Sequence, residues 1–213
     1  MSTTDNLIAA IDDTVIRELA LRGQARSFPK STVIINEGDR GDSLFVILSG
    51  RVKVYVSDED GKEMILETYG AADYVGEMAL DGRPRSASVM TLEPTVCSVV
   101  TRDLLREALA ANPDLAMRLI ATLIDRARIA TDTVKNLALM DVYGRVARLL
   151  LAMAREVDGK LVIPERMTQQ DIADRVGASR DMISRIFKDL QTGGYVTVVD
   201  RHITIHRKPP QRW

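Results

Sequence analysis

Between Phe28 and about Thr101 the chain changes texture every few residues, and that rhythm admits few folds. Short runs rich in β-branched and apolar residues, Val33–Ile35, Leu44–Leu48, Val52–Val56, Met64–Thr68, Ser86–Met90 and Val96–Val100, follow one another closely. Turn formers separate them at Gly38-Asp39, Gly41-Asp42, Ser49-Gly50 and Asp58–Gly61, where the backbone reverses at low cost. Several short strands at such spacing predict an antiparallel barrel or jelly roll. Ahead of them, residues 1–25 carry Ile8, Ile11, Val15, Ile16 and Leu19 at helical spacing, which predicts one or two short helices.

Past residue 112 the period lengthens. Asn112-Pro113-Asp114 reads as an N-cap with proline in the first turn. Ala116, Ile120, Leu123, Ala127, Ala130, Val134 and Leu137 then recur in alternating steps of four and three, the apolar seam of a two-helix coiled coil. A helix packed on its own domain would carry a similar stripe. Three alanines in the seam permit close approach but bury little area. Helical texture resumes after Asp141 to about Glu156. A β pair near Leu161–Ile163, two helices, and a hairpin at Val196–Val199 and Ile203–His206 complete the chain.

Composition bounds the function classes. The 213 residues are 46% hydrophobic and 28% charged, ordinary for a globular protein. No run approaches the ~20 apolar residues of a membrane span, and the acidic N-terminus lacks the pattern of a secretory signal. Cys97 is the single cysteine, so no intrachain disulfide forms, and the expected location is cytoplasmic. The net charge of −1 conceals an asymmetry. Residues 141–213 carry 13 Lys+Arg against 9 Asp+Glu, leaving 16 against 21 in residues 1–140. A basic C-terminal third on an acidic body suits a nucleic-acid module.

Within that third, residues 168–190 carry the densest pattern. Thr168 and Asp171 form a capping-box-like start, with aspartate shorter than the preferred glutamate. Ile172 and Val176 face a core, small Ala173 allows a close helix crossing, and Gly177 turns where a positive φ is cheap. Ser179 caps a second helix whose Met182, Ile183 and Ile186 are expected to pack inward. That leaves Arg180, Asp181, Ser184 and Arg185 outward on its first turns, where a recognition helix meets base edges in the major groove. A helical hairpin with a solvated face has the same outline. The following strands, turned at Asp200-Arg201, resemble a wing, with Arg201, Arg207 and Lys208 placed for phosphates.

These residues resemble the DNA-binding domain of the cyclic AMP receptor protein and fumarate-nitrate regulator (CRP/FNR) family. The likeness extends back through Val134–Ala147, which resembles that family's hinge, and covers roughly residues 15–207. Asn36-Glu37-Gly38-Asp39, Asp42–Ile47 and Ser49–Val54 resemble a cyclic-nucleotide-binding fold, with a phosphate cassette at Gly76–Val89. The implied class is α+β: an effector-binding β-barrel (jelly roll) in residues 1–111, a dimerisation helix and hinge in 112–140, and a winged helix-turn-helix in 141–213.

The resemblance implies that Gly76, Glu77, Met78, Ala79, Arg85, Ser86, Ala87 and Thr131 bind a cyclic nucleotide. A turn after Gly76 presents backbone N–H groups, Arg85 offers a guanidinium to a phosphodiester, Glu77 accepts a ribose hydroxyl, and Ser86 adds a donor. A surface ion pair between Glu77 and Arg85 is the plain alternative. The cassette is shorter between Glu77 and Arg85 than in family members. Of the two helix positions that meet adenine in the family, Ala130 and Thr131, only Thr131 keeps a hydroxyl, which favours cyclic AMP over cyclic GMP. On the DNA side the resemblance implies Thr168, Gln170, Ser179, Arg180, Asp181, Ser184, Arg185, Lys188 and Arg201. It further implies a homodimer on an inverted repeat with TGTGA-like half-sites, and RNA polymerase as a partner.

Other chemistries fare worse. An iron–sulfur cluster needs about four thiolates. Haem sensing needs a ligand near the barrel or long helix, whereas both histidines, His202 and His206, fall in the wing. A cupin-type metal enzyme needs histidines in its barrel, so no catalytic or metal-ligating residue is assigned. Two alternatives to the ligand-controlled regulator stand: an orphan regulator that binds DNA without nucleotide, and a nucleotide-responsive module that binds a protein instead.

Overall fold

The computed structural model describes residues 3–210. They divide into two compact units, one comprising the chain up to residue 56 with 65–127, the other 57–64 with the chain from 128 onward.

The first unit is organised by β3 (Ser43–Ser49). β1 (Gln24–Phe28), β8 (Thr95–Thr101), β3 and β6 (Tyr74–Val75) lie side by side in one four-stranded sheet. β2 (Val33–Ile35), β7 (Ser88–Thr91), β4 (Val52–Ser57) and β5 (Glu63–Tyr69) form the other. Successive side chains of a strand point to opposite faces, and β3 uses both. Leu44, Val46 and Leu48 enter a core with Ile8 of α1 (Thr3–Ala9), Ile16 and Leu19 of α2 (Thr14–Arg22), Leu105 of α3 (Arg102–Ala111) and Leu115 and Leu119 of α4 (Pro113–Leu139). Phe45 and Ile47 join Ile35, Val52, Val75, Val89 and Cys97 between the two sheets. With both faces covered, the strand reads as an unbroken apolar run. This is the jelly-roll arrangement that the strand rhythm predicted.

Two elements depart from the sequence reading. Residues 24–28 form β1, antiparallel to β8, where helix and connection were expected. Its first four residues are exposed, so no apolar alternation marks them, and backbone pairing alone makes the strand. α3 also went unread; it starts on Thr101, whose hydroxyl accepts the Leu104 N–H at 3.4 Å, and buries Leu105 and Ala108. β7 begins at Ser88, leaving Ser86 and Ala87 outside the ladder. Asn112 does cap α4, its Oδ1 accepting the N–H groups of Asp114 and Leu115 at 3.1 and 3.4 Å. Leu115 and Leu119 of α4 are buried, while Ile120, Leu123, Val134 and Leu137 of the predicted seam are exposed.

In the second unit α5 (Val142–Met153) starts on Asp141, whose carboxylate accepts the Gly144 N–H at 2.7 Å. It ends at Met153, short of the Glu156 that the helical texture predicts, because Arg155 already opens β9 (Arg155–Val157). β9, β10 (Lys160–Ile163), β12 (His202–Ile205) and β11 (Val196–Val199) form one sheet, in that spatial order. α6 (Gln169–Val176) and α7 (Arg180–Thr192) pack with α5 around a core that includes Val146, Leu150, Ile172, Ile183, Phe187, Leu190 and Ile203. Fully buried Ala173 lets α6 and α7 approach closely. His206 lies beyond the end of β12 rather than in it. Among the described residues no helix is long and apolar enough to cross a membrane.

Candidate functional site

The cassette begins where β6 ends. Gly76 has φ +86°, and a Cβ there would stand 3.0 Å from both Arg85 Nη1 and the Ser43 carbonyl oxygen. Only glycine adopts this backbone with so little room. A 3₁₀ turn, Glu77–Asp81, follows. Arg85 folds back over it and is 7% exposed. Its Nη1 donates to the Gly76 carbonyl at 2.8 Å and its Nη2 to the Ser43 carbonyl at 2.7 Å. Its main chain is held as well: Gly38 N–H donates to the Arg85 carbonyl at 2.8 Å, and Arg85 N–H to that of Asp39 at 2.9 Å. A Cβ on Gly41 would lie 2.4 Å from Arg85 Nε and Nη2, so the guanidinium occupies the space a side chain would take. Burial draws its pKa below the usual guanidinium value, while Asp42 and Glu77 oppose that shift. Of its five N–H donors, at least two are engaged with carbonyls.

Glu77 does not pair with Arg85. Its carboxylate meets Arg126 Nη1 of α4 at 2.8 Å, with side chains 12% and 18% exposed respectively. Arg126 Nη2 donates to the Tyr74 carbonyl at 2.6 Å. Its guanidinium lies over the Tyr69 ring at 4.4 Å and the Tyr74 ring at 4.9 Å, within cation–π range. Burial, offset in part by Arg126, pushes the Tyr69 phenol up to about 12. Burial lowers the Arg126 pKa, but Glu77 and the two tyrosines outweigh it and the net direction is upward. Arg126 escaped the sequence reading because Tyr74 is 52 positions away from it and Tyr69 farther still. The only hint was a charged residue one turn ahead of Ala130 and Thr131.

The remaining cassette residues are spread around the turn. Ser86 is exposed and donates from Oγ to the Met78 sulfur at 2.9 Å, so each occupies the other's polar or polarisable group. Ala87 is half-buried. Ala79 lies in the turn by its backbone, and its side chain falls outside the described residues. Thr131 sits exposed on α4, in the stretch assigned to the second unit.

In the second unit both helix starts are built as the sequence suggests. Thr168 N–H donates to Asp171 Oδ2 at 2.7 Å and Asp171 N–H to Thr168 Oγ1 at 3.1 Å. The shorter aspartate therefore closes a reciprocal capping box. Gln170, exposed, donates to Asp174 Oδ1 at 2.7 Å. Gly177 ends α6 in the left-handed region with φ 65°. Ser179 Oγ accepts the Met182 N–H at 3.2 Å and so caps α7. Arg180, Asp181, Ser184, Arg185 and Lys188 are all exposed on α7. Met182 is exposed too, at 41%, which corrects the expectation that it packs inward; the core takes Ile183, Ile186, Phe187 and Leu190 instead.

The wing turns at Asp200 and Arg201, with φ of 49° and 66°, two successive left-handed residues as in a type I′ hairpin turn. Arg201 is exposed, and its carbonyl accepts the Met167 N–H at 3.1 Å, tying the turn to the start of α6. Arg207, just past β12, is exposed. It donates to the Gly193 carbonyl and covers the Tyr195 ring at 4.8 Å. Of the histidines, His202 Nε2 accepts from Arg166 Nε at 3.1 Å and His206 Nε2 meets Thr197 Oγ1 at 2.5 Å.

Comparison with known proteins matches both halves of this description. Residues 25–112 match the family model of the cyclic nucleotide-binding domain, and residues 144–209 that of the Crp-like helix-turn-helix domain. The cAMP-activated global transcriptional regulator CRP of Escherichia coli is 34% identical over 187 residues, covering 84% of this chain and 88% of that protein. The CRP-like cAMP-activated global transcriptional regulator of Mycobacterium tuberculosis is 30% identical over 204 residues, covering 93% and 91%. Among solved structures, the c-di-GMP responsive global regulator CLP of Xanthomonas campestris superposes with a TM-score of 0.80 at 25% identity, over 92% of this chain and 100% of that one. With a cyclic nucleotide-binding domain and a Crp-like helix-turn-helix in one polypeptide, the chain belongs to the CRP/FNR family of DNA-binding transcriptional regulators.

Proposed function

We propose that this regulator is a homodimer whose DNA affinity is switched by cyclic AMP. Residues 1–111 then act as the effector domain, 112–140 as dimerisation helix and hinge, and 141–213 as the DNA-binding domain. The observation that carries the reading is the cassette. Glu77 opens its turn and Arg85 closes its loop, a carboxylate suited to a ribose hydroxyl and a guanidinium suited to a cyclic phosphodiester, above a glycine with no Cβ. Met78, Ala79, Ser86 and Ala87 border the ligand in this reading. Thr131 supplies a hydroxyl for the purine, and the cAMP-activated relatives support the choice of base.

The exposed Ile120, Leu123, Val134 and Leu137 of α4 support a parallel dimer, whose recognition helices would stand one DNA turn, ~34 Å, apart on an inverted repeat with TGTGA-like half-sites. Bound ligand biases the segment around Leu137–Asp141 and so reorients the DNA-binding domains. Arg180, Asp181 and Arg185 read bases, aided by Ser184 and Lys188. Thr168, Gln170, Ser179 and Arg201 hold phosphates. RNA polymerase, met in the cytoplasm, is the further partner by family resemblance.

The carbonyl contacts of Arg85 favour a second reading, an orphan regulator that binds DNA without nucleotide. Calorimetry with cyclic AMP, cyclic GMP and buffer alone, followed by gel shifts with and without nucleotide, separates the two. Saturable heat with cyclic AMP and a change in DNA affinity are expected. No heat with either nucleotide, alongside an intact gel shift, replaces the first reading by the second. A nucleotide-binding protein that shifts no genomic fragment is instead a protein-interaction module.

A further inference from the structure

We infer that Met182 is a sequence-reading residue, recognising the C5-methyl group of a thymine in each half-site. The inference rests on the reading of α7 as the helix that enters the major groove. Among the described residues of α7, Met182 is the one large apolar side chain left exposed. A lone exposed methionine elsewhere on a surface needs no explanation. This one occupies the first turn of α7, between Asp181 and Ile183, where a recognition helix reaches deepest into the groove.

Its direction is set by its neighbours. Successive helix residues are roughly 100° apart around the axis. Ile183, Ile186, Phe187 and Leu190 fix the buried side, and Met182 and Arg180 then fall on opposite flanks of the outward side. Met182 and Arg185, three residues apart, share one flank as neighbours. The backbone beneath is held, because Ser179 Oγ accepts the Met182 N–H at 3.2 Å. A methionine here has no strong donor or acceptor with which to replace the water on a phosphate or a base edge. The apolar feature that the major groove offers is the thymine methyl, and a flexible, polarisable thioether adapts to such a target. The arginines thus read G·C pairs by hydrogen bonds, and Met182 adds a preference for A·T at a neighbouring step.

The test uses the full-length protein and the duplex recovered from a randomised-site selection, with each thymine of a half-site replaced in turn by uracil, which lacks only the methyl group. One thymine per half-site should weaken binding on replacement by roughly fourfold, the worth of burying one methyl-sized group. Met182→Leu, which keeps an apolar tip, should retain that sensitivity, and Met182→Ser should lose it while still distinguishing the G·C pairs. Indifference of the wild type to uracil at every position overturns the inference, as does equal sensitivity in Met182→Ser. Recovery of no repeat at all overturns the reading of α7 itself, and the inference with it.

Discussion

Replacing Arg126 by leucine removes one partner of a largely buried ion pair and leaves the Glu77 carboxylate, 12% exposed, with its main counter-charge gone. Breaking such a pair from one side costs ~3–5 kcal/mol when burial is complete. Residual solvent contact places this pair near the lower end. Loss of the donor to the Tyr74 carbonyl adds about 1 kcal/mol. The leucine keeps helix propensity and some of the packing on Tyr69 and Tyr74, so about 3–4 kcal/mol is expected in all. Removing both charges together, as Glu77→Met with Arg126→Leu, should recover most of that, since an apolar pair often equals a buried ionic one. The coupling between the two sites is then about 2–3 kcal/mol. Two compact units need not unfold together, so the assay is hydrogen exchange by mass spectrometry, read on peptides from 63–81 and 113–127. An Arg126→Leu protein within about 1 kcal/mol of wild type in those peptides would refute the argument. So would a double variant that costs the sum of the singles.

The other expectations test the two proposed surfaces. Leu123→Glu places a charge in the exposed apolar face of α4 and should yield monomers without operator binding; a wild type that is itself monomeric by light scattering at micromolar concentration removes the dimer. Arg85→Ala should weaken cyclic AMP binding by ~1.5–3 kcal/mol in calorimetry, and unchanged affinity would show that the cassette is not the site. Arg180→Ala and Arg185→Ala should each cost ~1–3 kcal/mol at one base pair, whereas Arg201→Ala should weaken all sequences alike and flatten the salt dependence. An Arg180→Ala protein that kept its full sequence preference in a site selection would refute base reading by that residue.

What the sequence made legible was whatever is encoded by near neighbours. The run Leu44–Leu48 announces a strand covered on both faces, and the spacing from Thr168 to Leu190 announces two capped helices with Gly177 between them. Contacts assembled by the tertiary fold left no such trace. β1 is a row of exposed residues made a strand by β8, and Arg126 finds its partners at Tyr69, Tyr74 and Glu77 far along the chain. The contacts of Arg207 with the Tyr195 ring and the Gly193 carbonyl were likewise unmarked in the sequence. Met182 was misjudged for a different reason. Its hydrophobicity suggested the core, but it sits on the flank of α7, and Ile183, Ile186, Phe187 and Leu190 fill the core without it.

The strand β3 serves as a wall shared by two rooms. On one side Leu44, Val46 and Leu48 meet Leu115 and Leu119 of α4; on the other Phe45 and Ile47 meet Ile35 and Val75, next door to Gly76. A slip of one residue along the ladder would exchange the contents of both rooms at once. Close packing on each side leaves little slack for gradual adjustment. A deletion anywhere within Leu44–Leu48 should therefore dissolve both cores together rather than one.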